Sequence, residues 1–139
     1  MKKLLLLLSV LSLVLTSCSS DDDNNDSSQE LLIGTWTYFK AFEDGVEIVL
    51  SDCEKQETQV FNIDGTFSIT EFDDFDGPCV QDGTFSGTWV NSGNGNYTVT
   101  AFGQTFSQAI TFDGDTYSVV YLEDDGSGII EYIDTYIKS

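Results

Sequence analysis

An all-β domain closing into an antiparallel up-and-down barrel of about eight to nine strands is what the sequence predicts, and three observations predict it. Large apolar residues alternate with Thr and Ser along one segment after another, as in Thr84 to Val90, and a period of two belongs to a strand with one buried face. Ten Phe, six Tyr and two Trp stand against a single Pro, a balance that suits pleated surfaces and spares their hydrogen-bond ladders. The joints between segments are hairpin-sized with one exception, and no stretch sustains a helical period. Hairpin-linked strands can also fold into a sandwich. Closure is favoured because it leaves no exposed edges and because the Thr and Ser face is so regular.

The elements follow in order. Gly34 to Phe42 sets Trp36, Tyr38 and Lys40 on one face and Thr35, Thr37, Phe39 and Ala41 on the other, before Glu43-Asp44-Gly45 turns the chain. Val46 to Leu50 is a short second strand. Gln59 to Ile63 and Thr66 to Phe72 form a hairpin through Asp64-Gly65, where positive φ costs Gly little and Asp tolerates it. Asp73 to Asp82, with Gly77-Pro78-Cys79, lacks periodicity and is predicted to be a loop. Alternation resumes in Thr84 to Val90, Asn91 to Gly95 is a turn cluster, and Asn96 to Phe102 follows. Thr105 to Phe112 pairs with Thr116 to Glu123 through Asp113-Gly114, and after Asp124-Asp125-Gly126 a last strand runs from Ile129 to about Ile137.

A chain of 139 residues, 40% of them hydrophobic, supports one domain with a real core. Its 24 Asp and Glu face five Lys, no Arg and no His, for a formal charge of −19. Nucleic acid is excluded as a partner, because phosphate binding needs cations to displace counterions. The acid excess serves solubility and self-repulsion, or else a cationic partner. Without His there is no imidazole base, no Ser-His pair and no His-ligated metal, so an enzyme is not expected. A carboxylate pair for glycoside hydrolysis is conceivable, but Asp64, Asp113, Asp124 and Asp125 sit where turns need them. Asp73, Asp74 and Asp76 with Gly77 crowd one loop, yet the first position of a D-x-D-x-D-G calcium loop is occupied by Phe72. No metal is expected.

Met1-Lys2-Lys3 followed by Leu4 to Leu15 is a positive segment and a short apolar run, the pattern of a secretory signal rather than a membrane span. It ends in Leu15-Thr16-Ser17-Cys18, which resembles the lipobox of bacterial lipoproteins. The resemblance implies cleavage after residue 17, lipidation of Cys18 with acyl chains such as palmitate, and a membrane anchor. Residues 1–17 are then the signal peptide, and three Lys remain against the 24 acids. Several acyl chains anchor a protein that one would not hold, each buried CH₂ contributing about 0.8 kcal/mol. Residues 18–30 comprise the lipidated Cys and an acidic tether too polar to fold, and 31–139 form the barrel domain. Asp21-Asp22-Asp23 resembles the signal that exports lipoproteins to the outer face of a Gram-negative outer membrane; otherwise it is a solvated linker. The expected place is the outer membrane, lipid-anchored and surface-exposed, or alternatively its periplasmic face.

With Cys18 lipidated, Cys53 and Cys79 are an even pair in an exported chain, so a disulfide is predicted. The chain-entropy model values it at roughly 3 to 4 kcal/mol. A reactive thiol or a metal ligand is the alternative reading.

If Trp36 faces inward, alternation brings Tyr38, Phe67, Ile69, Phe85, Trp89, Tyr97, Val99, Phe106, Ile110, Tyr117, Val119 and Tyr121 into the barrel with it. Gly87 and Gln108 share that phase and would serve as a pocket floor and an orienting amide. An eight-stranded barrel is wide enough either to be filled by side chains or to hold one small ligand.

The order of lipobox, acidic tether, Gly34-Thr35-Trp36, a Cys, Phe-x-x-Asp-Gly-Thr-Phe at Phe61 to Phe67, a second Cys, Gly87-Thr88-Trp89 and Tyr136-Ile137-Lys138 resembles the lipocalin-like (calycin) lipoproteins of Bacteroidetes-type bacteria. Trp36 matches the Gly-x-Trp signature whose indole plugs one barrel end. The lipocalin pattern also carries an Arg near the last strand that packs on this Trp, and the chain has no Arg. The resemblance implies a non-enzymatic, monomeric binding module for a small apolar molecule, without a cofactor. The rival reading is a packed barrel that meets a protein or glycan through its surface.

Overall fold

The computed structural model describes residues 31–75 and 77–139. The signal peptide, Cys18 and the tether predicted over residues 1–30 lie outside the described residues, as does Asp76.

The strands are β1 (Gly34–Glu43), β2 (Val46–Ile48), β3 (Thr58–Phe61), β4 (Thr66–Asp73), β5 (Val80–Gly93), β6 (Asn96–Ala101), β7 (Gln104–Asp113), β8 (Thr116–Asp124) and β9 (Ile129–Lys138). A short 3-10 helix, Glu54–Gln56, precedes β3. All neighbours pair antiparallel in the order β2-β1-β3-β4-β5-β6-β7-β8-β9, and β1 also pairs with β9. The sheet therefore closes as a barrel, with β2 appended outside the ring on the far half of β1. The predicted fold class holds. Thr and Ser ladders run along the outside, with hydroxyl pairs at Thr70–Thr84 (3.2 Å), Thr100–Thr105 (2.9 Å) and Ser118–Thr135 (2.9 Å), the cross-strand contacts that stabilise a solvated sheet face.

Several boundaries differ from the sequence reading. β5 starts at Val80 and runs to Gly93, so the predicted loop of 73–82 shrinks to the residues between Asp73 and Val80, and the turn narrows to Asn94-Gly95. Val80 and Gln81 pair because the facing strand offers backbone partners at Asp73 and Phe72, with Asp82 skipped at a bulge, and alternation of side chains carries no trace of that. The second strand stops at Ile48, and Leu50 beyond it is buried apart from the barrel's core cluster.

A bulge in β1 corrects the predicted faces. Register against β9 shifts between Tyr38 and Lys40, so Phe39 is the extra residue and the phase inverts beyond it. Ala41, expected outside, is 3% exposed. Lys40, expected inside, leaves its Nζ 5.1 Å from the Phe39 ring centroid. The bulge spares the barrel a buried ammonium without a partner.

The end at which β1 begins is shut by aromatic rings. Trp36 is buried, its Nε1 donates to the Leu32 carbonyl at 2.8 Å, and its ring meets the edge of Tyr117 at 4.8 Å. Lys138 fills the place of the Arg that the resemblance implied, its Nζ standing 5.2 Å from the Trp36 ring centroid. The Lys138 stem crosses Gly34, where a Cβ would lie 3.0 Å from Cε and φ is +140°, which explains why a Gly precedes the Thr-Trp pair. Trp89 closes the same end, edge-on to Phe61 at 5.8 Å, with Nε1 donating to the Thr66 carbonyl at 3.1 Å.

Cys53 and Cys79 form the predicted disulfide, with Cα atoms 5.4 Å apart. It ties the segment before the 3-10 helix to the loop between β4 and β5.

Candidate functional site

The barrel interior divides into two halves. On the β1 and β9 side, Tyr rings fill it: Tyr38 stacks on Tyr136 at 5.1 Å, and Tyr136 on Tyr117 at 5.0 Å. The Tyr38 hydroxyl donates to Asp134 Oδ1 at 2.7 Å, and Tyr121 also bonds this carboxylate. Burial first, and then the Asp134 hydrogen bond and charge, push the Tyr38 phenol well above its ordinary range. Burial, followed by the charge of Glu57, does the same to Tyr117 and Tyr136. These phenols are fixed donors.

The other half is a cavity of about 360 Å³. Phe67, Ile69 and Phe85 wall it on β4 and β5, Tyr97 and Val99 on β6, Phe106, Gln108 and Ile110 on β7, and Tyr117 and Val119 on β8. Leu32, Gln59, Phe61, Ala101 and Phe102 complete the lining. It opens at the end away from Trp36, where Phe102 in the β6–β7 turn is 80% exposed and Phe106 48%. The surface is apolar apart from two amides and two phenols.

Of the residues predicted to line a binding site, Phe67, Phe85, Tyr97, Phe106, Gln108 and Tyr117 do surround the cavity. Trp36, Tyr38, Trp89, Gly87 and Tyr121 do not. Both indoles are buried as the closed end, and Tyr38 is engaged by Asp134 and Tyr136. Gly87 lies opposite Phe67 in register, and a Cβ there would stand 2.7 Å from the Phe67 ring and collide with the Thr100 carbonyl oxygen. It is covered by a ring rather than forming a floor. Tyr121 is 37% exposed and stacks on Tyr132 at 5.3 Å, beyond Val119, the last residue of β8 that pairs with β7.

Gln59 and Phe61 are absent from the sequence-derived interior. The signal was available: Phe61 faces Phe67 across the hairpin, and directly opposed residues share a face. Gln59 is 8% exposed, accepts from the Tyr117 hydroxyl at 2.6 Å and donates to Glu57 Oε1 at 3.0 Å. The interior amide that this fold satisfies by side chains is therefore Gln59.

Burial raises the Glu57 carboxyl above the usual range, although Gln59 and Tyr136 bond it and oppose the rise. The folded chain thus holds that proton more tightly than the unfolded one. The contribution to stability is whole below about pH 4.3 and falls away as pH climbs through the raised value. Glu57→Gln is expected to gain on the parent as pH increases from about 4 to 7, seen as a widening gap in thermal midpoint; a constant gap contradicts this linkage.

Asp73, in the loop considered for calcium, accepts from the Phe75 amide at 2.9 Å. Among the described residues no group of three or more acidic or Cys side chains is placed to hold a metal ion.

A closed antiparallel barrel with an indole-plugged end and an apolar interior defines the class of up-and-down β-barrels, whose interiors are either filled by side chains or hold one small ligand. The chain matches the model of the lipocalin-like domain over residues 32–120 and belongs to that family. No curated protein sequence matches it. Among solved structures it is similar to a deswapped triple mutant of bovine odorant binding protein, at 16% identity and a TM-score of 0.43, over 78% of this chain and 74% of that one.

Proposed function

We propose that the protein is a lipid-anchored surface lipoprotein whose barrel binds a small apolar molecule without transforming it. The observation that carries this reading is the cavity of about 360 Å³, ringed by aromatic and aliphatic side chains and open at one end. An apolar pocket with a few polar groups is what small-molecule sites consist of. The anchor rests on Leu15-Thr16-Ser17-Cys18 after an apolar run, and the outer-membrane address on the acids that follow. A contact role for the mouth has its own support in Phe75, Leu122 and Ile129, which are 89%, 64% and 69% exposed, since apolar surface at a rim can seat a partner.

Native mass spectrometry of protein recovered from its host is expected to show a co-purified molecule of low mass, and the emptied protein to take up an apolar dye. Repeated absence of both excludes the binding role. Cys18→Ala is expected to move the protein from the membrane to the soluble fraction, and unchanged retention contradicts the anchor.

A further inference from the structure

The ligand class follows from three features of the cavity: its charge, one strained residue at its lip, and one amide. The first concerns what can be buried there. None of the three Lys of the described residues lines the cavity, and Glu57 lies directly behind Gln59. An anion would lose its hydration without gaining a counter-ion and would meet a carboxylate across one amide. A cation fares little better, because Glu57 is capped by Gln59 and Tyr136 and does not itself face the cavity.

The second feature is Phe102. It stands first in the Phe102-Gly103 turn with φ of +53°, and Gly103 follows at +74°. Two positive values in a two-residue hairpin loop normally fall to Asn-Gly or Asp-Gly, as they do at Asn94-Gly95 and Asp44-Gly45. A bulky aromatic there is a backbone outlier. The Phe102 ring is largely in solvent yet lines the cavity, and its centroid is 5.4 Å from that of Phe85. The chain keeps a costly residue where only the cavity mouth benefits from a ring.

The third feature is Gln108. One terminal atom of its amide faces two backbone carbonyls, of Ala109 at 3.3 Å and Val120 at 3.4 Å, and only the nitrogen can do so. That leaves Oε1 as the acceptor a bound molecule would meet. The volume is more than twice the roughly 150 Å³ of an engineered apolar cavity that takes benzene, so it suits a molecule of two or three rings.

We propose that the cavity takes an uncharged aromatic molecule bearing one hydrogen-bond donor, its ring packed against the Phe102–Phe85 pair at the mouth and its donor placed on Gln108 Oε1. This rests on the binding reading above and narrows it to a ligand class.

The test is equilibrium dialysis at neutral pH with 2-naphthol, 2-methoxynaphthalene, 2-naphthoate, 2-naphthylmethylamine and 1-decanol, on the folded domain and on two variants. 2-Naphthol is expected to bind most tightly, and 2-methoxynaphthalene about tenfold more weakly for want of a donor. Gln108→Leu is expected to abolish that preference. Phe102→Asn suits the turn, so its thermal midpoint should match or exceed the parent while 2-naphthol affinity drops about fivefold. Unchanged affinity in Phe102→Asn overturns the part given to Phe102, and a charged naphthalene binding as tightly as 2-naphthol overturns the ligand class. If 1-decanol binds and 2-naphthol does not, this inference fails while the binding role stands. Binding of no probe at all defeats both.

Discussion

Trp36→Ala is expected to lose about 3 to 5 kcal/mol of stability, the range for emptying a buried aromatic site. Trp36 is 2% exposed and meets the Leu32 carbonyl at 2.8 Å, the Tyr117 ring at 4.8 Å, the Phe112 ring at 6.3 Å and the Lys138 ammonium at 5.2 Å. Truncation removes the ring and also leaves the Leu32 carbonyl, itself on a residue with no exposed surface, without its donor. Trp36→Phe keeps most of the ring and loses the N–H, so it should fall between, at about 1 to 3 kcal/mol. Urea unfolding with unchanged slope measures both. A cost for Trp36→Ala below about 1 kcal/mol would mean that the indole does not seal the end of the barrel.

Replacing both Cys53 and Cys79 by Ser is expected to cost roughly 3 to 4 kcal/mol. The bridge spans 26 positions and encloses the 3-10 helix, β3 and the whole of β4. Cross-linking removes freedom from the unfolded chain, while β3 and β4 keep their register through their own ladders. The variant should therefore show the parent's circular dichroism in the absence of denaturant and unfold at lower urea. Equal midpoints with and without reductant in the parent would contradict this.

The barrel was legible because its outer face is written in Thr and Ser and its turns in Asp-Gly and Asn-Gly pairs. Trp36 and Trp89 were placed inside correctly for the same reason. What was not legible depends on pairing rather than on alternation. The bulge at Phe39 inverts the faces of Lys40 and Ala41 only because β9 is registered across both sides of it. Tyr38 and Tyr121 share the inward phase, yet Tyr38 is taken up by Asp134 and Tyr136, and Tyr121, drawn to the same carboxylate, is partly exposed and stacked on Tyr132. Gln59 could have been found from its hairpin partner Ile69. Phe102 could not, because nothing in a Phe-Gly pair announces a turn or a lip.

The place where β1 begins has a consequence for traffic. Leu32 and Trp36 cork the end at which β1 begins, and the opening beside Phe102 is at the other. If Cys18 is anchored as proposed above, the mouth lies at the end of the barrel opposite the start of β1, and cargo would arrive from the surrounding fluid rather than from among the lipids.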